Sequence, residues 1–406
     1  MKLSPYCKKV ANTSAPSLFN MLTREEITVT SELCDALEKR EFDSFPCELE
    51  KELTDSSILV PDDFDAESNL LSLWNEETSV GDRLDITYAL TYRCNMRCGY
   101  CIQSGVNGES ECGSGEFLKW ATHLLEMRKP KNFNLTFFGG EPLLKRGDIS
   151  DISSSLHQLC ANTEIDFGFS VISNGTLINA EDVKLWKSQG LESLDITIDG
   201  IRENHDRKRI YGNGAGTFDD IIGNLKKIRG DVSVNIISNL APESADYGDF
   251  LFLLSDLRDE IGLNAVRFKP YYEGMSGGCF FGESHVETMK KIEAEARALS
   301  LPVESGCILG PCGFFDNNTF AVSPSGDIYP CTPFFGDRRY SLGTIKGAFE
   351  LDKKHSLKDN LSEECLVCTY CPVCFGGCRY ISLKAKGNVS SPTCEKRFFE
   401  GYFRDM

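Results

Sequence analysis

The chain lacks a long hydrophobic run, since no stretch of 18 consecutive apolar residues occurs among its 406 residues. Its start, MKLSPYCKKVANTSAP, also lacks the apolar segment of a secretory signal peptide. We therefore expect a cytoplasmic protein without a membrane partner. Basic side chains are few, because 43 lysines and arginines stand against 61 aspartates and glutamates and leave a formal charge of -18. This balance argues against a nucleic-acid partner, which rewards clustered positive charge.

Cysteine, by contrast, is abundant, with 18 residues. In a reducing cytosol, thiols at short and patterned spacings indicate metal ligation and not a disulfide framework. Nine of them lie between Cys307 and Cys394, and three more lie within TYRCNMRCGYCI. Five isolated cysteines are expected to behave as small buried hydrophobes: Cys7, Cys34, Cys47, Cys112 and Cys160.

From about residue 83 the sequence alternates short β-rich runs with stretches of helix length. Six runs follow this pattern: LDITYALTY, NFNLTFFGG, DFGFSVISNG, LESLDITIDG, VSVNIISNL and NAVRFKPYY. Strand, loop and helix in repetition predict parallel βα units, and therefore an α/β fold built on a partial (β/α)6 TIM-like barrel. The loop after the first run carries three cysteines and the loop after the second carries GGEP, so both are expected at one end of the sheet.

The flanking segments have other patterns. Residues 1–80 predict a hairpin, two helices and a short strand, which suits a small winged-helix-like module. Residues 81–278 form the predicted barrel, and 279–304 a linker helix. Residues 305–406 are rich in loops and cysteines, with so little continuous apolar pattern that bound metal is the expected source of their stability.

The three cysteines of the first loop, Cys94, Cys98 and Cys101, call for a chemical interpretation. Three thiolates cannot complete a tetrahedral zinc site, and neither a histidine nor a fourth cysteine follows at zinc-finger spacing. A cubane iron-sulfur cluster has four irons, so three cysteines leave one iron open to a small ligand. An open iron indicates catalysis and not only structure.

These residues resemble a known family. CNMRCGYC is similar to the CxxxCxxC loop of radical S-adenosylmethionine enzymes, including the aromatic residue Tyr100 before the third cysteine. FFGGEP resembles the segment of that family that meets the methionine amine, SNGT its ribose-contacting strand end, and DGIRENHDRKR the following loop. The motifs occur in the same order over residues 83 to about 275.

The resemblance implies a [4Fe-4S] cluster on Cys94, Cys98 and Cys101 whose open iron binds S-adenosylmethionine. It further implies that Glu141 accepts a hydrogen bond from the ammonium group and that Arg209 meets the carboxylate, although a solvated surface charge explains Arg209 equally well. The implied cofactor-binding residues are Tyr100, Gly139, Gly140, Glu141, Ser173, Asn174 and Arg209.

The C-terminal cysteines resemble the SPASM extension of peptide-modifying radical enzymes. The resemblance implies two auxiliary [4Fe-4S] clusters, and so three in all, and leaves Cys279 and Cys371 without a role. On spacing alone, zinc ribbons remain the alternative for the CxxC pairs. The implied ligands are Cys307, Cys312, Cys331 and Cys378 for one cluster, and Cys365, Cys368, Cys374 and Cys394 for the other.

SPASM enzymes oxidise side chains of ribosomal peptides or proteins, so the resemblance implies a peptide maturase. We expect it to form a thioether or carbon-carbon crosslink in a precursor peptide, with a flavodoxin or ferredoxin as reducing partner. The N-terminal module would then bind the leader of the precursor by strand addition.

Two alternatives remain for the function. Sulfatase maturases resemble the chain in GDIYPC, but they carry an aspartate after that cysteine as a candidate base where this chain has Thr332. Asp337 or Glu273 could take that place. An iron-sulfur electron carrier or a zinc scaffold without catalysis is the alternative of another class.

Overall fold

The computed structural model describes residues 1–10, 16–39, 45–101, 103, 111–240, 247–270, 283–304, 309–350, 352–353 and 357–403. The strands are β1 (Lys2–Leu3), β2 (Cys7–Val10), β3 (Ser17–Asn20), β4 (Glu26–Thr28), β5 (Leu59–Val60), β6 (Arg83–Ala89), β7 (Asn132–Phe138), β8 (Asp166–Ser173), β9 (Leu191–Thr197), β10 (Ser233–Leu240), β11 (Leu263–Pro270), β12 (Thr319–Val322), β13 (Asp327–Tyr329) and β14 (Gly343–Thr344).

The α-helices are α1 (Ser31–Lys39), α2 (Cys47–Asp55), α3 (Ala66–Thr78), α4 (Ser114–Arg128), α5 (Arg146–Thr163), α6 (Ala180–Lys187), α7 (Arg202–Lys208), α8 (Phe218–Lys227), α9 (Tyr247–Ile261), α10 (Glu283–Ala298), α11 (Leu357–Asn360), α12 (Glu363–Leu366), α13 (Cys371–Cys374), α14 (Arg379–Lys386) and α15 (Lys396–Tyr402). Within the described residues, none of these helices combines the length and apolar character needed to cross a bilayer.

A nine-stranded sheet organises the molecule, in the order β11-β10-β9-β8-β7-β6-β12-β13-β14. The six strands β6 to β11 are parallel and adjacent in chain order, which confirms the predicted partial barrel. The pairing of β12 with β6, also parallel, was not predicted. Through β12, β13 and β14 the C-terminal region is part of the same sheet as the barrel.

The two faces of the barrel sheet differ in polarity, as β6 illustrates. Leu84, Ile86 and Tyr88 are buried in the main core beneath the helices, whereas the alternate residues Asp85 and Thr87 are half-buried. Because side chains alternate between faces along a strand, the polar set points to the concave side. This side carries pairs such as Asn134 to Asp85, at 2.8 Å, and so presents a polar surface to a ligand.

Helix α10, predicted as a linker, packs against the barrel. Ile292 and Ala296 are buried in the main core. The segment after the helix runs beside β11, where the Val266 amide donates to the Pro302 carbonyl at 2.8 Å. Helix α10 therefore continues the alternation of strand and helix, while the domain boundaries stay sequence predictions.

The N-terminal segment contains the predicted hairpin, β3 with β4, and adds β2 on its other side. Helix α2 leads into β5 as predicted, and β5 pairs with β1. Leu18, Leu37 and Leu53 form a small core of their own with neighbouring apolar residues. Helix α3 was not predicted, and its Trp74 packs on Phe315 with ring centroids 4.8 Å apart.

Candidate functional site

The cysteine loop follows β6 and is fixed by backbone hydrogen bonds to a distant segment. The Arg97 amide donates to the Ile210 carbonyl at 2.8 Å, and the Gly99 amide donates to the Lys208 carbonyl at 3.2 Å. Met96 and Tyr211 form an isolated antiparallel bridge. The CNMRCGYC and HDRKR segments, about a hundred residues apart in sequence, therefore lie side by side.

Hydrogen-bond donors surround the first thiol of this loop. The Cys94 Sγ accepts from the Met96 amide at 3.4 Å and from Asn174 Nδ2 at 3.8 Å. Burial raises the pKa of Cys98 to about 11, against the lowering influence of the Arg209 guanidinium. Donors and a buried cation next to thiols favour the thiolate form that metal ligation requires.

Gly139 and Gly140 were predicted to permit close backbone approach, and the approaching group is the cysteine loop itself. At Gly139, where φ is +136°, a Cβ would lie 2.4 Å from the Thr91 carbonyl oxygen, and at Gly140 it would lie 2.4 Å from that of Arg93. The Gly140 amide donates to Thr91 at 2.8 Å. Glycine is required here because any side chain would push the two loops apart.

The Glu141 carboxylate is fully buried and joins two strand ends. Its oxygens accept hydrogen bonds from the Leu143 amide at 2.9 Å, Ser173 Oγ at 2.9 Å and the Asn174 amide at 2.8 Å. Burial raises the pKa of Glu141, and the three donors act in the opposite direction. The residue thus connects GGEP with SNGT, and its role as acceptor for an ammonium group stays a prediction.

Asn174 connects SNGT back to the cysteine loop. Its Nδ2 donates to Asn95 Oδ1 at 2.9 Å, and its Oδ1 accepts from Thr176 Oγ1 at 2.6 Å. Asn95 Nδ2 in turn donates to Thr176 Oγ1 at 2.8 Å. The three side chains form a closed polar ring, so the loops after β6 and β8 are held in one arrangement.

Arg209 lies beneath the cysteine loop and is buried, so its interpretation as a solvated surface charge is wrong. Its Nη1 donates to the Tyr100 hydroxyl at 2.6 Å and lies 3.9 Å from the Asp199 carboxylate. The Tyr100 hydroxyl donates to Asp199, and burial followed by that carboxylate raises the pKa of Tyr100 well above its usual value. The Arg209 Nε is buried without a hydrogen-bond partner in the described part of the chain.

Asp199 and Asn239 belong to this network and were missed by the sequence reasoning. Asp199 Oδ1 accepts from the Asn239 amide at 2.8 Å, and Asn239 Nδ2 lies 3.3 Å from the Tyr100 hydroxyl. Both residues stand at the carboxyl ends of barrel strands, in the runs TIDG and ISNL. That position was the signal that could have identified them, because parallel barrels gather their sites at this end.

Six C-terminal cysteines belong to or pack against the aromatic core that Trp74 and Phe315 share, namely Cys312, Cys331, Cys365, Cys368, Cys371 and Cys374. Burial raises the pKa of Cys368, with contributions from the nearby Cys365 and Cys394 thiols, so these three predicted ligands of one cluster are neighbours. The predicted ligand Cys307 lies outside the described residues. Cys312, Cys331, Cys374 and Cys378 are all partly buried.

No three cysteine, histidine or acidic side chains in the described ranges are arranged to hold a single metal ion. A mononuclear site needs its ligands to converge on one point, whereas a cubane takes each thiolate on a different iron. Of the isolated cysteines, Cys34, Cys112 and Cys160 are buried as expected, Cys7 is partly buried, and Cys47 is exposed.

A buried guanidinium stands between the predicted cluster ligands. Arg379 is fully buried and donates to the carbonyls of Phe375 at 3.1 Å, Val389 at 3.2 Å and Asn360 at 3.3 Å. Its guanidinium carbon lies 5.0 Å from the ring centre of Phe315. One side chain therefore ties together four segments of a region that has little regular structure.

Lys353 is a second buried basic side chain in the C-terminal region. Its Nζ donates to the carbonyls of Gly313 at 2.8 Å and Asp316 at 2.7 Å, and to that of Thr319. Burial lowers the pKa of Lys353 to about 7. One side chain thereby joins three backbone carbonyls of the segment that follows Cys312.

The sequence left two carboxylates, those of Asp337 and Glu273, as candidates for a formylglycine base. Thr332 begins a short 3-10 helix after Cys331. Asp337 caps the next one and accepts from Arg339 Nε at 2.8 Å, and hydrogen bonds from Arg339 lower the pKa of Asp337. Glu273, the other candidate, lies outside the described residues. The Asp337 carboxylate is therefore engaged in an ion pair with Arg339.

Comparison with known proteins gives one matching family model and several relatives. Residues 88–250 match the model of the radical SAM superfamily. A cysteine-type anaerobic sulfatase-maturating enzyme of Clostridium novyi (strain NT) is 26% identical over 331 residues, which is 70% of this chain and 85% of the relative.

Two solved structures share the fold. The structure of native anSMEcpe with bound AdoMet has a TM-score of 0.61 at 19% identity, covering 79% of this chain and 97% of that one. Streptococcus suis SuiB bound to S-adenosylmethionine has a TM-score of 0.60 at 13% identity, covering 98% of this chain and 99% of SuiB.

These findings agree with the geometry. The four segments that resemble radical SAM motifs meet at the carboxyl end of one parallel sheet, and all four lie within the matched residues 88–250. The chain therefore contains a radical SAM domain and is homologous to the anaerobic sulfatase-maturating enzymes.

Proposed function

We propose that the protein is a radical SAM peptide maturase that forms a thioether or carbon-carbon crosslink in a ribosomally made peptide. The observation that carries this proposal is the convergence of the cysteine loop, GGEP, SNGT and the Arg209 segment through direct hydrogen bonds. The likeness of the fold to the solved structures of anSMEcpe and SuiB gives further support.

The residues at this end of the sheet fit the implied cofactors. Cys94, Cys98 and Cys101 offer three thiols from one loop, and Arg209 offers a buried Nε without a partner among the described residues. When bound, a reduced [4Fe-4S] cluster and S-adenosylmethionine supply a 5'-deoxyadenosyl radical, because one electron cleaves the sulfonium C–S bond and leaves methionine. We infer that the electron comes from a flavodoxin or ferredoxin.

The chain itself contributes binding and orientation. Arg209 is held against Tyr100 and Asp199, so its free Nε has a fixed direction from which to meet a carboxylate. Asn95, Asn174 and Thr176 fix the cysteine loop relative to the ribose-contacting strand end. Such pre-formed hydrogen bonds reduce the reorganisation that cofactor binding would otherwise require.

Two auxiliary clusters in the C-terminal region complete the proposal. Cys365, Cys368, Cys374 and Cys394 would hold one cluster, and Cys312, Cys331 and Cys378 with Cys307 the other. Forming a crosslink removes two hydrogen atoms from the peptide, one taken by the radical and one lost as a proton with an electron. Held by these thiolates, an auxiliary cluster would supply an acceptor for that electron.

Formylglycine formation is the second candidate, favoured by the 26% identity to a sulfatase-maturating enzyme. It requires a proton acceptor near the substrate. Thr332 cannot serve, and the carboxylate of Asp337 is engaged by Arg339. We therefore rank crosslinking first.

The N-terminal module is proposed to bind the leader of the precursor peptide. The matches to SuiB and anSMEcpe, at 98% and 79% of this chain, differ by about 77 of its 406 residues, close to the length of the segment before β6. Deleting residues 1–78 should weaken binding of a full precursor, measured by fluorescence anisotropy, and leave cleavage of S-adenosylmethionine without peptide intact. Because the deletion also removes Trp74 from its contact with Phe315, circular dichroism must show that the truncated chain folds. Unchanged affinity would reduce this module to a packing extension.

The experiment that tests the function uses protein reconstituted anaerobically with iron and sulfide. Changing Cys94, Cys98 and Cys101 together to Ala should abolish release of 5'-deoxyadenosine, and undiminished release would refute the cluster assignment. The matched control, Cys365→Ala with Cys368→Ala, should retain some release but yield no peptide product. Circular dichroism must show that this control still folds.

Mass spectrometry of a short peptide encoded beside this gene distinguishes the two reactions. A crosslink removes two hydrogen atoms and retains every sulfur. Formylglycine formation from cysteine replaces the sulfur by oxygen and also removes two hydrogen atoms. A product that has lost its sulfur would therefore overturn the crosslink proposal in favour of the second candidate.

A further inference from the structure

The guanidinium of Arg379 is a fully buried positive charge in the cysteine-rich C-terminal region. In the described part of the chain, all its hydrogen bonds go to backbone carbonyls and none goes to a carboxylate. The accepting carbonyls are those of Phe375, Gly377, Asn360 and Val389. An arginine side chain stays protonated in a protein, and a buried charge is costly unless an opposite charge compensates it. The surroundings of Arg379 therefore call for negative charge.

The backbone around this guanidinium is the turn CFGGCR, which carries one predicted ligand of each auxiliary cluster. Phe375 follows Cys374 directly, and Arg379 follows Cys378 directly. At Gly376, where φ is +79°, a Cβ would lie 2.4 Å from the Arg379 Nη2. The turn thus needs glycine there to close around the guanidinium. The charge is fixed between the ligands of the two clusters.

Thiols of both predicted clusters act on Arg379. Burial lowers the pKa of Arg379, and four thiols act in the opposite direction: Cys312, Cys374, Cys378 and Cys365. Cys312 and Cys378 are predicted ligands of one auxiliary cluster, and Cys365 and Cys374 are predicted ligands of the other. One guanidinium therefore lies within electrostatic range of both ligand sets.

One carboxylate shares these surroundings without pairing with the guanidinium. Burial raises the pKa of Glu395 to about 7, and Arg379 acts in the opposite direction. Within the described ranges, no hydrogen bond joins these two side chains. A cubane on four thiolates carries a net charge of about -2, and of about -3 after it accepts one electron. Such clusters fit the site, because they supply the negative charge that a buried guanidinium requires.

We propose that Arg379 is the shared counter-ion of the two auxiliary clusters and raises the reduction potential of both. The inference rests on the proposed function in taking both clusters to be present. A nearby cation stabilises the reduced form more than the oxidised form, because the reduced form carries one more negative charge. The electron that the peptide loses during crosslinking then meets a more favourable acceptor. Arg379 touches no substrate and acts only through the clusters.

The test measures the midpoint potentials of the auxiliary clusters by a dithionite titration followed by electron paramagnetic resonance. It uses the full chain with Cys94, Cys98 and Cys101 changed to Ala, reconstituted anaerobically with iron and sulfide, so that only auxiliary clusters give signals. Arg379→Gln and Arg379→Met each remove the charge, and circular dichroism selects the one that folds. For both clusters, the ratio of reduced to oxidised form at a fixed potential should fall at least about tenfold, a shift of about 59 mV for one electron.

Two further variants separate charge from packing. Arg379→Lys keeps the charge but loses the planar fork of donors, and it should change that ratio by less than about twofold. A matched control, Arg267→Gln, removes an arginine of the barrel sheet that pairs with Asp195 and Glu304. Both midpoints should be unchanged in this control, because Arg267 belongs to β11 and not to the cysteine-rich region.

Equal shifts in the Lys variant and the neutral variants would overturn the proposal and reduce Arg379 to a packing residue. A shift of one midpoint alone would also overturn it, because the charge would then not be shared. Iron content separates this inference from the proposed function. About eight irons with unshifted midpoints refute the role of Arg379 and leave the auxiliary clusters standing. Absence of auxiliary signals refutes the proposed clusters, and this inference fails with them.

Discussion

The two cysteine-bearing regions of this protein are held in place by different means. The loop of Cys94, Cys98 and Cys101 follows a strand of a regular sheet and is fixed by backbone hydrogen bonds and glycines that admit close contact. The C-terminal cysteines lie among helices of only four residues, α11, α12 and α13, near the buried side chains of Arg379 and Lys353.

This comparison shows that cysteines can be positioned either by a regular sheet or, where helices are short, by buried side chains that bond to the backbone. Helices of one turn are not stable by themselves, because each fixes several residues for few hydrogen bonds. The carbonyls at the ends of α11 and α13 need donors, and Arg379 supplies them from within the core, while Lys353 serves carbonyls between Gly313 and Thr319. The cysteine loop of the barrel is instead held in place by the sheet strand that precedes it and by backbone hydrogen bonds to neighbouring loops.

Among the variants predicted here, removal of the Arg379 guanidinium from the C-terminal region should lower the free energy of unfolding the most. Arg379→Ala leaves several buried carbonyls without donors and opens a cavity, so we expect the free energy of unfolding to fall by about 4 kcal/mol. Urea denaturation measures this. The control Arg202→Ala removes a half-exposed arginine and should cost at most about 1 kcal/mol. Equal midpoints for the two variants would contradict the role of Arg379.

Gly140→Ala tests whether the cysteine loop of the barrel depends on close backbone contact, again by its effect on the free energy of unfolding. Its Cβ would lie 2.4 Å from the Arg93 carbonyl oxygen, so the cysteine loop must shift. We expect a loss of about 2 kcal/mol in stability and strongly reduced release of 5'-deoxyadenosine. The control Gly115→Ala, in open space on α4, should leave release unchanged and raise stability slightly. Normal release by Gly140→Ala would show that the loop tolerates displacement.

His205 is buried in the barrel region, in the same segment as Arg209, and should make the stability of that region depend on pH. Burial lowers its pKa to about 3, and its Nδ1 accepts from the Asp199 amide. The unfolded chain binds a proton near pH 6.5 that the folded chain rejects, so stability falls as pH decreases. Between pH 6.5 and pH 5 the wild type should lose about 2 kcal/mol that His205→Gln does not lose. Parallel pH profiles from urea denaturation would refute this.

Asp337→Asn should have the smallest effect. The carboxylate caps a short 3-10 helix and pairs with an exposed arginine, so its loss should cost less than about 1 kcal/mol. Product formation, followed by mass spectrometry, should be unchanged, with Arg339→Gln as control. Loss of product in Asp337→Asn alone would identify this carboxylate as the base and favour formylglycine formation.

The sequence predicted the barrel well, because its six strands are bounded by loops and followed by amphipathic stretches, each of which is a local signal. It also predicted which loops meet. It could not predict that Arg209 is buried, because burial depends on contact with Tyr100, which is more than a hundred residues away in sequence. Strands of two to four residues, such as β12 and β14, are too short for a periodic pattern, and their pairing is set by tertiary contacts.

The pairing of β12 with β6 makes the C-terminal region a structural neighbour of the cysteine loop. A protease cut near residue 305 would therefore not release an independent barrel. Only loss of the C-terminal fragment would uncover the edge of β6, and an uncovered strand edge recruits other chains. Fragments ending there should aggregate, and exchange of β6 amide hydrogens in the intact protein should report on loosening of the distant cysteine-rich segment.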